Sequence, residues 1–356
     1  MKYIKRLGGI VHYKDSHLRS FIKILLSIIF LLCSLGILSK VWLNSEINSI
    51  YRVPVGNLSP VTTSKVGKNK TDSSYNVLLV ISSSPPGTSD NSDNLIKLIN
   101  INTTNNAINQ LLVPENLWVN FPKEMGGGSG ELGAIRYDNP GMLVQTLKNN
   151  LNIAIAHYGS ISISNSVPLI DSLGGLKIYF SSPMRDVSSN LHIPNSGCQN
   201  ISGGTAVSVA RSHSMEYLIK DTWVKDTSPI ITNANNQDAL LASLSKDFSN
   251  IGNNPINLIN ILRSAVKVVT VDSSWSFSDL MNLEKRFSTS QKKTFNSSAL
   301  PTDTFMSKDS NNAVRMSEPL AHISLLPFKN ELLINKSNKK TQETLDQTNP
   351  QSISSC

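Results

Sequence analysis

The chain of 356 residues has only three cysteines, Cys33, Cys198 and Cys356. Three thiols cannot build the several disulfides of a small secreted module, nor a four-thiolate zinc site. Six histidines (His12, His17, His157, His192, His213 and His322) show no metal-ligand spacing, and HExxH is absent, which disfavours a zinc hydrolase. No GxxxxGK[ST] phosphate loop occurs. GxSxG is missing as well, because Glu131 stands where a glycine would have to follow Ser129. Apolar residues nevertheless make up 39% of the chain, enough for a buried core, so a wholly disordered polypeptide is excluded.

Acidic residues are scarce at the amino end. The first 43 positions hold seven basic side chains (Lys2, Lys5, Arg6, Lys14, Arg19, Lys23 and Lys40) and one acid, Asp15, and so carry +6 of the formal +8. The other 313 residues carry +2, too little for a general affinity for polyanions, and no nucleic-acid partner is expected. Residues 24–39 (ILLSIIFLLCSLGILS) contain no charge, and with their apolar flanks the stretch 21–43 is long enough to span ~30 Å of hydrocarbon. No A-x-A cleavage site follows, and Leu32 rather than a small residue precedes Cys33. The expectation is an uncleaved signal anchor in the cell membrane: residues 1–20 form a basic cytoplasmic tail, and everything after Leu43 is extracytoplasmic.

Residues 44–74 are rich in Ser, Asn, Thr and Pro and read as a linker. A folded domain is expected over 75–287. YNVLLVIS (75–82), DNLIKLININ (93–102) and QLLV (110–113) have the apolar content of strands, and Asn139-Pro140 opens a helix with leucines at i+4 spacing. IAHYGSISI and LKIYF read as further strands. Short helices are expected at SVPLIDSLGG and about 202–211, and later ones over 236–248, 257–266 and 276–287. Strands alternating with helices argue for one α/β domain. Residues 288–334 form a low-complexity extension in which ISLLPF (323–328) is a possible last strand, and 335–356 read as a disordered tail. Gly128–Gly133 satisfies GxGxxG but comes after FPKEMGG rather than an apolar strand, so a flexible loop is the better reading.

What remains is a series of polar groups at element ends: Ser82–Ser84, Ser92-Asp93, Pro114-Glu115-Asn116 and Arg211-Ser212-His213. Their order and spacing resemble the LytR-CpsA-Psr family over roughly 75–287. The resemblance is strongest at 169–213, where LIDSLGGLKIYF, MRDVSSNLHIP and GCQNISGGTAVSVARSH match the family pattern. It implies an α/β fold with a mixed central sheet flanked by helices, preceded by one transmembrane helix. It also implies an activity: transfer of a glycopolymer from a polyprenyl-pyrophosphate carrier to peptidoglycan, assisted by Mg²⁺.

The resemblance assigns the site one position at a time. Asp93 keeps the acidic residue of the family's Ser-Asp pair and is the expected metal ligand and catalytic residue. Ser83 stands where a carboxylate is usual, and Glu115 replaces an arginine, where it reverses a charge or serves as a second metal ligand. Arg211 is the retained catalytic arginine, and His213 stands at the position of its partner. Asn236 and Gln237 correspond to an amide pair, Thr232 to an arginine, and Asp226 to an aspartate in shifted register. Ser83, His213, Asn236 and Gln237 are thus expected around the phosphate and lipid head. A pyrophosphate needs cations where charge develops, and arginine's fork serves it better than imidazole does. The losses at Ser83, Glu115 and Thr232 therefore leave an alternative open: a catalytically degenerate member that binds the lipid or a partner enzyme as a scaffold. Taken singly, Asp93 also reads as a strand boundary, Arg211 as a helix-end charge and Gln237 as a solvated helix position. Cys198 is expected to be a free thiol, although Cys356 at the chain end could reach it.

Overall fold

Val77–Ile81 and Leu95–Ile99 are apolar at nearly every position, so strands there must be covered on both faces. In the computed structural model they are. Val77, Leu79, Ile81, Leu95 and Ile99 enter one core cluster, while Leu78, Val80, Ile96 and Leu98 enter a second on the opposite face. The structure describes residues 50–65, 71–82, 94–135, 139–227, 229–249, 261, 263–276, 294–304, 306, 313–329 and 353–356. The anchor expected over 21–43 and the helix expected over 276–287 lie outside these, apart from residue 276. Among the described residues no helix is long and apolar enough to cross a membrane.

The chain opens with β1 (Tyr51–Val53), β2 (Thr62–Lys65), β3 (Thr71–Ser82), β4 (Leu95–Asn102), β5 (Ala107–Val113) and the hairpin of β6 (Trp118–Asn120) and β7 (Ser129–Glu131). Helix α1 (Pro140–Leu151) leads to β8 (His157–Ser162), α2 (Val167–Ser172), β9 (Leu176–Phe180), β10 (Met184–Asp186), β11 (Leu191–Ile193) and β12 (Gly197–Ile201). Then come α3 (Gly203–Arg211), the hairpin of β13 (Glu216–Ile219) and β14 (Thr222–Lys225), and the long helix α4 (Pro229–Ser249). Strands β15 (Val269–Asp272), β16 (Thr294–Ala299), β17 (Thr302–Thr304) and β18 (Val314–Met316), helix α5 (Leu320–Leu325) and β19 (Ile353–Ser355) complete the fold.

The central sheet runs β1-β15-β8-β3-β4-β5-β16, with β2 added to β3. It is mixed, as expected: β3 is parallel to β8 and antiparallel to β4. Helix α1 starts where the sequence places it, with the Asn139 side chain accepting from the Met142 amide and Pro140 in the first turn. Its buried Leu143, Val144, Leu147 and Leu151 join the second cluster, whereas residues of α2, α3 and α4 join the first.

Several expectations change. The linker is not merely a tether, because β1 pairs with β15 and β2 with β3. The domain also extends past 287: β16 lies in the low-complexity extension and pairs in parallel with β5 along its length. ISLLPF is helical rather than a strand, since Ala321, Ser324, Leu325 and Phe328 are buried at helical spacing. The GxGxxG segment runs from the β6–β7 turn through β7 into a single helical turn at Leu132–Ala134. Gly126, Gly127 and Gly128 in that connection have φ of 88°, 71° and 84°, values that favour glycine. Finally, 353–356 are not a disordered tail. Strand β19 adds to β9, Ile353 is buried, and Cys198 is joined to Cys356 across 158 residues of sequence. No local spacing announces that bond, because it depends on the chain end docking beside β9.

Candidate functional site

Between the central sheet and α2–α4 lies a partly open cavity with about 470 Å³ of empty volume, open solvent included. Ile81 and Ile163, at the carboxyl ends of β3 and β8, meet Ile170 of α2, Ala210 of α3 and Leu240 of α4 in its lining. The lining is almost wholly apolar, and Gln237 is one of its few polar members. A crevice at the carboxyl ends of strands is where open α/β sheets take their ligands.

Gln237 and Asn236 are buried on α4. The side-chain nitrogen of Gln237 is engaged twice, by the Ala210 carbonyl at 3.0 Å and by Asn233 Oδ1 at 3.0 Å. Asn236 Nδ2 lies 3.4 Å from Met215 Sδ. The pair thus presents its amide donors to the protein, and the carbonyl oxygens of both side chains are buried without a hydrogen-bond partner among the described residues. Asn233, which the family resemblance passed over in favour of the buried Thr232, donates to the carbonyls of Ala210 at 2.8 Å and Ser212 at 2.9 Å. Its i+4 relation to Gln237 on one helix was the available signal.

Beyond α3 the backbone turns through Ser212, His213 and Ser214, and one buried carboxylate holds all three. Asp186 Oδ2 accepts from Ser212 Oγ at 2.5 Å, from the His213 amide at 3.0 Å and from the Ser214 amide at 2.8 Å. Its Oδ1 accepts from the Ser188 amide at 2.8 Å and the Ser188 hydroxyl at 2.6 Å. Burial works to raise this carboxyl, but hydrogen bonds from Ser188, Ser212 and Ser214 outweigh it and hold it at about 2. Arg211 and His213 are half-buried on either side of Ser212, and among the described residues no carboxylate forms an ion pair with Arg211.

The structure therefore brings Arg211, His213, Asn236 and Gln237 together around the end of α3. Glu115 is half-buried beyond the end of β5, and its carbonyl accepts from the Gly133 amide at 2.8 Å. Because Ile96 pairs with Val113, the described Asn94 and Glu115 lie at the same end of β4 and β5. Ser83 and Asp93 lie outside the described residues. As for Mg²⁺, no group of three or more His, Cys, Asp or Glu suited to a metal occurs among the described residues. Of the two carboxylates expected to hold it, only Glu115 lies among the described residues.

A second buried charge was not foreseen. Lys97 on β4 is fully buried, and its Nζ lies 2.6 Å from Asp238 Oδ1 on α4. Residue 97 shares a face with Leu95 and Ile99, so the pair fixes α4 to the cavity side of the sheet. Alternation in DNLIKLININ hid this, since a lysine in a strand reads as solvent-facing.

Comparison with known proteins agrees with this architecture. Over 174 residues, 48% of this chain, it is 26% identical to the probable cell wall biosynthesis protein LcpB of Corynebacterium glutamicum; the match spans 39% of that protein's length. A LytR-Csp2A-Psr enzyme from Actinomyces oris superposes with a TM-score of 0.55 at 19% identity, covering 86% of this chain and all of that one. TagT bound to LIIa-WTA superposes with a TM-score of 0.52 at 14% identity, covering 78% and 99%. These likenesses show a shared fold. The LytR_cpsA_psr family model itself matches residues 54–323, taking in β16 and the strand that carries Asp186, and this chain belongs to that family.

Proposed function

We propose that this chain is a membrane-anchored glycopolymer phosphotransferase of the cell envelope. It takes a polymer from a polyprenyl-pyrophosphate carrier and attaches it to peptidoglycan outside the cell. The observation that carries the reading is the cavity, apolar along sheet and helices and lined in part by Ala210, the residue before Arg211. An isoprenoid tail gains by leaving water for such a lining, which leaves its charged head beside the arginine. LcpB, a relative, is named for cell wall biosynthesis, and TagT has been captured with LIIa-WTA. The Cys198–Cys356 bond is in keeping with an exported domain, since disulfides persist in oxidising compartments.

In the reaction an acceptor hydroxyl attacks the phosphorus that carries the sugar. The bond from that phosphorus to the bridging oxygen breaks, polyprenyl phosphate leaves with the bridging electrons, and the proton of the hydroxyl passes to the leaving phosphate. Arg211 binds phosphate oxygens and offsets the charge that grows on the leaving phosphate, with His213 beside it. Asp93 and Glu115 are the residues that would hold Mg²⁺, which would supply further positive charge there.

A second reading, a lipid-binding scaffold without turnover, is favoured by one observation: the amide donors of Gln237 are spent on Ala210 and Asn233 instead of facing a phosphate. The full chain in detergent, given a short-chain polyprenyl-pyrophosphate sugar and Mg²⁺, separates the two. Metal-dependent release of polyprenyl phosphate is expected. Tight binding without release selects the scaffold, and the absence of both overturns either reading.

A further inference from the structure

We propose that Asp186 is a positioning residue that holds the Arg211–Ser214 turn preformed toward the phosphate head; the inference rests on the phosphate-cleft reading above. Asp186 lies on β10, outside the central sheet, and is 1% exposed. It belongs to none of the motifs at the strand ends, yet its carboxylate accepts five hydrogen bonds, three of them from Ser212, His213 and Ser214 in succession. A buried carboxylate is costly unless every lone pair is used, and this one is used to fix backbone direction. The other side of the same turn is held by Asn233, which donates to the Ala210 and Ser212 carbonyls.

The two brackets act on different atoms. Asn233 takes the carbonyls, and Asp186 takes the amides and the Ser212 hydroxyl. Between them the backbone from 210 to 214 has little freedom, so the directions in which Arg211 and His213 leave the chain are set before ligand arrives. Preorganisation of this kind lowers the ordering cost of binding an anion, and a cleft short of cations depends on it more than one with several arginines. β10 is itself fastened, because Arg185 binds Glu216 of β13 at 2.7 Å and stacks over Trp223 at 4.2 Å.

Asp186→Asn tests this, because an amide nitrogen replaces one acceptor oxygen and meets donors. The full chain in detergent is titrated with farnesyl pyrophosphate and, separately, with farnesol, which fills the apolar cavity but has no phosphates. The variant is expected to weaken farnesyl pyrophosphate binding about tenfold and to leave farnesol binding within about twofold of wild type. Equal weakening of both ligands, or of neither, overturns the positioning role. Should Asp186→Asn not yield folded protein, Ser212→Ala decides: it removes one donor to the carboxylate and is expected to weaken pyrophosphate binding about threefold, again sparing farnesol. Arg211→Ala separates this inference from the reading beneath it. If Arg211→Ala abolishes the preference for pyrophosphate and Asp186→Asn does not, only the positioning role fails. If wild type shows no such preference, or Arg211→Ala retains it, the phosphate cleft itself is misplaced.

Discussion

Gln237 donates its side-chain amide to the Ala210 carbonyl at 3.0 Å, tying the middle of α4 to the last turn of α3 one residue before Arg211. The same nitrogen also bonds Asn233 Oδ1. Replacing Gln237 by Leu removes both bonds but leaves the Ala210 carbonyl its donor from Asn233, so a loss of about 1–2 kcal/mol is expected. Gln237→Glu sets a carboxylate against two acceptor oxygens and is expected to cost more, increasingly so as pH rises and the acid ionises. Thermal melts at pH 5 and pH 8 check both.

The Lys97–Asp238 pair predicts a different pattern. Lys97→Met strands a buried carboxylate and is expected to destabilise by about 3–5 kcal/mol. The double variant Lys97→Met with Asp238→Leu removes both charges and is expected to recover most of that loss. Urea denaturation of the two variants beside wild type measures the difference.

Asp186 gives the fold a dependence on acid. Its carboxyl is held at about 2, below the usual 3.8, so the unfolded chain takes up a proton more readily than the folded one. The stability it contributes is fully present above about pH 4 and is lost as pH falls toward 2. Wild type and Asp186→Asn are therefore expected to differ most in stability above pH 4 and to converge near pH 2, as tracked by urea midpoints.

The bond between Cys198 and Cys356 closes a long loop and fastens a strand whose Ile353 is buried. Cys198→Ser is expected to cost about 2–4 kcal/mol, and reductant should lower the melting temperature of wild type but not of the variant. Wild type melting identically with and without reductant would show that the bond contributes nothing.

The central strands were legible because their signal is local. YNVLLVIS is too apolar to be anything but a covered strand, the alternation of LIKLININ marks a strand as well, and Asn139-Pro140 starts a helix by a cap and a proline that need no distant partner. The Arg211 end of α3 could be found by order and spacing along the chain. Where the reading failed, the cause lay across the fold. β16 sits in a polar, low-complexity stretch and becomes a strand because β5 offers its edge. β19 exists because β9 and Cys198 receive it.

The sequence by itself thus determined the family and the strands on either side of the cavity, and it pointed to Arg211 as the proposed cation, all written in short runs of residues. Only the tertiary structure decided how that arginine is held. Asp186, Asn233 and Lys97 look like ordinary polar residues in one dimension. Folding buries them, and a buried polar group must be satisfied by whatever the fold places beside it. For Asp186 that was the turn carrying Arg211 and His213, 25 to 27 residues further along the chain.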